Sequence, residues 1–186
     1  IGHNTDGIGY MQSVKDAGYD IIGKKMTLLG AGGAATAILV QAALDGLKEI
    51  SVFVRPTSRF YDRLVHTVEE LTEITDCRIR ICDFSDANLL KKELADSAIL
   101  TNGTYVGMAP HEDTCPVPEN LTFPKDLIVS DIIYNPRETK LLTMAKNQGN
   151  PIFNGSYMLL YQGAEAFRLW TGKEMPVALI KNMFFS

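Results

Sequence analysis

A glycine-rich turn lies between a short apolar run and an alanine-rich segment. The apolar run at residues 25–29 predicts a strand, and residues 34–47 have apolar side chains on nearly every helical face, which predicts a buried helix. The turn between them has the sequence Gly30-Ala31-Gly32-Gly33-Ala34-Ala35. A strand, a tight turn and a buried helix therefore follow one another directly.

Strands and helices alternate along the rest of the chain. Further strands are predicted at residues 49–54, 78–82, 97–101, 126–132 and 151–153, and helices at 58–75, 86–94, 139–146 and 156–170. Short strands that alternate with helices require a parallel sheet covered on both sides, because the crossover connections are right-handed. The sequence therefore predicts an α/β fold, a Rossmann-type doubly wound parallel sheet with three αβα layers.

The glycine-rich turn fits the G-x-G-x-x-G/A fingerprint of dinucleotide-binding units. In this interpretation Gly30 allows the tight turn, Gly32 leaves room for a pyrophosphate, and Ala35 lets the helix approach the strand closely. The helix amides would bind the phosphates, with Ala31, Gly33 and Ala34 completing the predicted contact. A structural Gly/Ala-rich turn without a ligand is the alternative. No Lys-Ser/Thr pair follows, so the turn is not a P-loop.

The end of the second predicted strand carries Arg55, Thr57, Ser58 and Arg59 and no acid. An NAD-binding domain usually has an acid here for the ribose 2′-hydroxyl, whereas a guanidinium pairs well with the 2′-phosphate of NADP. The sequence therefore favours NADP as cofactor, with NAD as a second cofactor that it does not exclude. The alternative is an ordinary solvated loop.

Two Asn-Gly turns follow predicted strands, at the end of a parallel sheet where ligands bind. Thr101-Asn102-Gly103 follows the strand at 97–101, and Asn154-Gly155-Ser156 follows the strand at 151–153. Both are candidate cofactor contacts. Either fits a tight turn without a ligand equally well.

Charge and composition narrow the range of partners. With 18 basic and 22 acidic residues the formal net charge is −4, and no basic run is long enough to follow a phosphate backbone, so we expect no nucleic-acid partner. The absence of a long apolar run and of a signal peptide at residues 1–6 predicts a cytoplasmic protein with no membrane partner. Cys77 and Cys82 would lie on opposite faces of a strand, so we expect neither a disulfide nor a metal site.

Several motifs, in their order and spacing, resemble the shikimate dehydrogenase family. They are Asn4-Thr5-Asp6-Gly7, the glycine-rich turn, Asn102-Gly103-Thr104-x-Val106-Gly107-Met108, Asp131-x-x-Tyr134-Asn135-Pro136-x-x-Thr139, Asn154-Gly155-x-x-Met158-Leu159-Leu160-x-Gln162-Gly163-Ala164 and Trp170-Thr171-Gly172. Gly46-Leu47-Lys48-Glu49-Ile50 is similar to the quinate/shikimate branch of the family. The resemblance covers nearly the whole chain.

The resemblance implies reversible hydride transfer between NAD(P) and a ring hydroxyl of shikimate or quinate. It implies that Asp6 is the catalytic aspartate and contacts substrate, that Gln162 donates hydrogen bonds to substrate with Tyr134 nearby, and that Gly155 and Met158 lie beside the nicotinamide. From the residues alone, Asp6 is more typical of a helix cap, Met158 of a core side chain and Gln162 of a solvated one.

The resemblance also implies a domain organisation. We expect residues 1–186 to form the NAD(P)-binding domain, with a linking helix at about 1–20 and C-terminal helices at about 155–186. The N-terminal substrate domain, which carries the family's catalytic lysine, is expected to be absent, so that the chain would bind cofactor but turn over little substrate. An isolated domain of this kind can self-associate into a homodimer through its exposed cleft face.

Two other functions compete with this hypothesis. One is a non-catalytic nucleotide-sensing Rossmann module, and the other is a different two-domain dehydrogenase such as a methylenetetrahydrofolate dehydrogenase. The Asn-Thr-Asp-Gly motif at residues 4–7 and the Gln-Gly-Ala motif at 162–164 favour the shikimate group. Shikimate and quinate themselves are not distinguished.

Overall fold

The computed structural model describes residues 2–185, so the first and last residues of the predicted domain lie outside it. The strands are β1 (Lys25–Leu29), β2 (Glu49–Val54), β3 (Arg78–Asp83), β4 (Ile99–Asn102), β5 (Ile128–Asp131) and β6 (Ile152–Phe153). The helices are α1 (Asp6–Asp16), α2 (Gly33–Leu44), α3 (Tyr61–Ile74), α4 (Ala87–Leu94), α5 (Lys140–Asn147), α6 (Ser156–Thr171) and α7 (Val177–Phe184). None of these helices is both long enough and apolar enough to cross a membrane.

The six strands form a sheet in the order β3-β2-β1-β4-β5-β6, and every neighbouring pair is parallel. The order runs outward from β1 in one direction and from β4 in the other. A ligand crevice is expected at such a reversal, beyond the carboxyl ends of the two central strands. The predicted fold, a doubly wound parallel sheet, is confirmed.

The sheet has a separate apolar core on each face. One core joins side chains of β1, β2 and β4 to α1, α2, α3 and α6, and the other joins the opposite sides of the same strands to α4 and α5. Cys77 belongs to the first core and Cys82 to the second, and both are free thiols. The sheet is therefore the middle layer of three.

Some element boundaries differ from the sequence prediction for identifiable reasons. The helix expected from Ser58 begins only at Tyr61, because residues 55–61 form turns in which Ser58 N donates to Arg55 O and Tyr61 N donates to Ser58 O. The helix expected to reach Leu47 ends at Leu44, since Gly46 takes a φ of +97° that closes the turn. The strand expected from residue 97 begins at Ile99, because Ser97 still belongs to the turn after α4, in which its amide donates to Leu94 O at 3.3 Å.

Helix α1 lies outside the strand-helix alternation and is fixed by a buried tyrosine. The Tyr10 hydroxyl lies 2.5 Å from Thr101 Oγ1 on β4 and 2.9 Å from Ser130 Oγ on β5. Burial raises the pKa of Tyr10 to about 12, against the opposing effect of these hydrogen bonds. Tyr10 thus attaches α1 to the centre of the sheet.

Helix α1 also packs directly on α6, through a glycine. A Cβ added at Gly9 would lie 2.6 Å from the Gln162 amide nitrogen and 2.8 Å from the Met158 carbonyl oxygen. No side chain fits between the two backbones, so only glycine at position 9 permits this separation. The start of α1 is therefore held against the start of α6.

We predict that Gly9→Ala lowers the free energy of unfolding by about 1–3 kcal/mol, because the added methyl group forces the two helices apart. The matched control is Gly163→Ala on α6, where an added Cβ meets no atom within 4 Å. This control should raise stability by about 0.5–1 kcal/mol through helix propensity alone. Urea unfolding followed by circular dichroism measures both, and equal effects of the two substitutions would contradict the close α1–α6 contact.

Candidate functional site

A cleft of about 970 Å³ opens at the carboxyl ends of β1, β2, β4 and β5. Its lining comes from the glycine-rich turn, the segment after β2, the segment after β4 and the segment after β5. The cleft therefore lies at the reversal of strand order. Of the predicted cofactor residues, it is lined by Gly30, Ala31, Gly32, Gly33, Ala34, Arg55, Ser58, Arg59 and Gly103.

The glycine-rich turn presents unpaired backbone amides to the cleft. Gly30 has a φ of +102°, which favours glycine, and its amide donates to Phe53 O at 2.8 Å. Helix α2 starts at Gly33, and its N-cap Gly32 supplies no side-chain hydrogen bond. A Cβ added at Gly32 or Gly33 would meet no atom within 4 Å. The first turn of α2 thus offers free N–H groups, a positive dipole end and open space, which suit a phosphate.

The segment after β2 makes one end of the cleft positive. Arg55 and Arg59 are exposed, and the Arg59 guanidinium lies 4.7 Å from the centre of the Phe60 ring. The Ser58 hydroxyl accepts a hydrogen bond from the Phe60 amide at 3.2 Å. Thr57 is exposed but does not line the cleft. Among the described residues, no carboxylate lies within ion-pair distance of Arg55 or Arg59.

Two predicted contact residues at the end of β4 are buried beneath the cleft. The Thr101 side chain pairs with Tyr10 and Ser130. The Asn102 amide donates to both carboxylate oxygens of Asp131, each at 3.1 Å, and its carbonyl oxygen accepts from the Thr104 amide and hydroxyl. Their side chains are thus occupied by protein partners, and Gly103 is the residue of this turn that lines the cleft.

Asp131 lies beneath the cleft, and the sequence motif that contains it assigned it no role. Its carboxylate also accepts from the Ile133 amide at 3.0 Å and the Thr139 hydroxyl at 2.8 Å. Burial raises the pKa of Asp131 to about 6, although these hydrogen bonds and that from Asn102 act in the opposite direction. Asp131 therefore ties the segments after β4 and β5 together under the cleft. An acid at the carboxyl end of an apolar strand was the available signal.

A second group of predicted residues lies where α1 meets α6. The Thr5 hydroxyl donates to Gln162 Oε1 at 3.4 Å, and Gln162 Nε2 donates to Leu159 O at 3.1 Å. Asp6 is the first residue of α1, next to Thr5. The N-cap is Thr5 and not Asp6, and its side chain makes no capping hydrogen bond. The structure therefore brings Asp6 and Gln162 to the same junction.

Tyr134, Gly155 and Met158, the other residues predicted to contact the substrate or the nicotinamide, lie in three different environments. Tyr134 lines the cleft with 51% of its surface exposed. The Gly155 backbone packs directly on that of Ile132, so a Cβ at this position would collide with Ile132 O. Met158 is only 8% exposed and packs in the core. The Met158 side chain thus matches the core alternative.

Several aromatic and sulfur-containing side chains complete the cleft, and the sequence analysis missed them. They include Phe60, Phe84, Tyr105, Met108 and Cys115. Burial raises the pKa of the Cys115 thiol. Most of these residues lie in irregular segments, which carry no periodicity that could have placed them.

The fold and the site together define the class of protein domain. A 3-2-1-4-5-6 parallel sheet whose first strand enters a helix through a glycine-rich turn is a Rossmann-type nucleotide-binding domain. Residues 155–182 match the family model of the shikimate 5′-dehydrogenase C-terminal domain. The chain is 53% identical, over 184 residues, to the shikimate dehydrogenase (NADP(+)) of Listeria monocytogenes serotype 4b, and the match covers 99% of this chain. Over nearly its whole length the chain is therefore similar to a shikimate dehydrogenase, and its C-terminal part matches the model of that family's C-terminal domain.

Solved structures show the same similarity. A crystal structure of shikimate 5-dehydrogenase from Listeria monocytogenes, in complex with shikimate and NAD, superposes with a TM-score of 0.93 at 52% identity and covers 99% of this chain. Quinate dehydrogenase from Corynebacterium glutamicum, in complex with NAD, gives a TM-score of 0.82 at 26% identity, with 99% of this chain covered. The chain spans 63% of the Listeria relative's length, 63% of the Listeria structure and 62% of the Corynebacterium structure.

The raised pKa of Asp131 predicts a pH dependence of stability. The carboxyl titrates at about 6 in the folded protein, against an ordinary value of 3.8. Between these values the folded protein keeps a proton that the unfolded chain has released, so the contribution of Asp131 to the free energy of unfolding falls as pH rises from about 4 to about 6. The total decrease is about 3 kcal/mol and is absent in Asp131→Asn.

The measurement is chemical unfolding of the wild type and of Asp131→Asn at a series of pH values. Asp126→Asn, at an exposed position in the segment before β5, is the matched control and should track the wild type. A wild-type advantage over Asp131→Asn that grows from about pH 4 to 7 would show that the fold favours the carboxylate, contrary to this account.

Proposed function

We propose that this chain is the nucleotide-binding domain of an oxidoreductase that transfers hydride between NADP(H) and a ring hydroxyl or ketone of shikimate, 3-dehydroshikimate or quinate. The observation that carries the proposal is the glycine-rich turn at the start of α2, at the strand-order reversal. Beside it are two arginines that have no carboxylate partner within residues 2–185. The names of the relatives support it, since one is an NADP(+) enzyme and another was crystallised with shikimate and NAD.

The phosphate-binding part of the proposal rests on Gly30, Ala31, Gly32, Gly33 and Ala34. The open space beside Gly32 and Gly33 admits a pyrophosphate close to the backbone, and the free amides of the first turn of α2 bind it. A side chain at either glycine would project into that space. The site therefore fits a dinucleotide.

The second part concerns the 2′-phosphate. In the proposal Arg55 and Arg59 bind it, and the Ser58 hydroxyl in the cleft lining is a further donor. Thr57 is exposed in the same turn, outside the lining, and is the second proposed hydroxyl donor. A guanidinium without a carboxylate partner gains more from a phosphate than from a 2′-hydroxyl, so NADP binds more tightly than NAD. NAD still has the whole pyrophosphate site, so it is the weaker second cofactor.

The third part concerns the substrate end. In the proposal the nicotinamide lies beside Gly103 and Gly155. The buried side chains of Thr101, Asn102 and Met158 support this position from beneath. Asp6, Gln162 and Tyr134 contact the substrate. Gln162 has donors and an acceptor suited to ring hydroxyls, and its bond from Thr5 holds the amide at the end of α1.

When bound, the nicotinamide accepts or donates the hydride. Oxidation of a secondary alcohol also requires removal of the hydroxyl proton by a group within hydrogen-bond reach. Asp6 supplies a carboxylate in the first turn of α1 that caps no helix, and it takes part in that proton transfer, directly or by holding an adjacent ammonium group.

A cytoplasmic location and a homodimer stay predictions of the sequence. Shikimate and quinate are both candidate substrates. A quinate dehydrogenase among the structural neighbours keeps quinate as the second candidate substrate. A comparison of turnover with the two substrates in the enzyme of full family length distinguishes them.

We predict that calorimetric titration detects NADP binding that is tighter than NAD binding. Arg55→Ala and Arg59→Ala each weaken NADP binding by about tenfold to a hundredfold, because each removes a charge-assisted hydrogen bond, and change NAD binding by less than threefold or so. Lys91→Ala, an exposed cation on α4, is the control and leaves both affinities unchanged. Binding of neither nucleotide by the wild type would contradict the proposed function.

We predict that Asp6→Asn lowers kcat by about 10²–10⁴, because the amide cannot accept the proton. The assay is NADP reduction by shikimate in a protein that also contains the remainder of the relatives' length. Affinity for NADP serves as the control and should not change, since Asp6 does not line the nucleotide cleft. Full activity of Asp6→Asn would remove Asp6 from the proposed mechanism.

A further inference from the structure

A third arginine stands close to the positive end of the cleft, on α3. The Arg63 guanidinium lies 5.4 Å from the centre of the Phe60 ring, whose other cationic neighbour is Arg59 at 4.7 Å. Phe60 and Arg59 both line the cleft. One aromatic ring at the cleft wall thus holds two guanidinium groups.

Arg63 is also connected to the glycine-rich turn. Its Nη2 donates to Thr36 Oγ1 at 3.4 Å, and the Thr36 hydroxyl donates to Ala31 O at 3.3 Å. Thr36 lies in the first turn of α2, whose amides face the proposed pyrophosphate position. Arg63 therefore bridges α3 and α2 across the end of the cleft.

The charges at this end are not balanced by the protein. Within residues 2–185, Arg63 has no carboxylate at ion-pair distance, in common with Arg55 and Arg59. Two guanidinium groups that share one ring repel each other, and an anion placed between or beside them relieves that repulsion. The arrangement is suited to a ligand that carries negative charge at this end.

We infer that Arg63 is a specificity-determining residue of the nucleotide site, which increases affinity for NADP relative to NAD. The inference rests on the proposed function. Its charge adds to the field at the 2′-phosphate, and its contact with Phe60 holds the ring on which Arg59 stacks. The hydrogen bond to Thr36 links Arg63 to the first turn of α2, whose amides face the proposed pyrophosphate position.

The test uses Arg63→Met, which keeps side-chain length without charge, and Arg63→Lys, which keeps the charge. Calorimetric titration with NADP and with NAD should show that Arg63→Met weakens NADP binding by about threefold to tenfold and NAD binding by less than about twofold, as expected for a partly screened charge. Arg63→Lys should recover most of the NADP affinity. Lys92→Met, at an exposed position on α4, is the matched control.

Salt provides a readout that a purely structural role would not move. Added NaCl should lower the ratio of NADP affinity to NAD affinity more steeply in the wild type than in Arg63→Met. The reason is that salt screens the Arg63 charge, which the variant lacks. If Arg63→Met lowers the affinities for NADP and NAD equally, or lowers neither, the inference is wrong. NADP binding by the wild type would still support the proposed function in that case. A wild type that binds neither nucleotide contradicts the proposed function itself, and the inference with it.

Discussion

The reversal of strand order between β1 and β4 is the constraint on which the site depends. From these two neighbouring strands the chain departs toward opposite faces of the sheet, so their carboxyl ends are left uncovered and a crevice forms there. The glycine-rich turn enters α2 on one side of this crevice, and the Asn102–Asp131 pair supports the loops on the other. The cleft is thus a consequence of topology, and its chemistry comes from the few residues at the strand ends.

Charge is distributed unequally between the two edges of the sheet. At the amino edge Glu93 is buried and bonded to Lys25, Arg80 and Ser51, and although burial alone would raise the pKa of Glu93, the hydrogen bonds from Lys25 and Ser51 hold it below its ordinary value. At the carboxyl edge the arginines after β2 have no such partners in the described part of the chain. The cations at the amino edge are therefore neutralised by Glu93, whereas the arginines at the carboxyl edge are available to an anionic ligand.

The sequence predicted the sheet well because buried parallel strands are continuous apolar runs and the glycine-rich turn has a strict backbone requirement at Gly30. It placed Asp6 and Gln162 only by family resemblance, since their proximity depends on the close approach of α1 and α6 at Gly9. The pairing of Asn102 with Asp131 and the stacking of Arg59 and Arg63 on Phe60 were not predictable, because each joins segments whose separation is set by tertiary packing.

The most direct test of the account is an NMR titration of the ¹⁵N-labelled chain with NADP. We expect the largest amide shift changes at Gly32, Gly33 and Ala34 and in the segment 55–60, with little change at the amino edge of the sheet around Lys24 and Lys48. Such a map would place the phosphates on the first turn of α2. Shift changes centred on the amino edge, or none at high NADP concentration, would contradict the claim that this cleft is the nucleotide site.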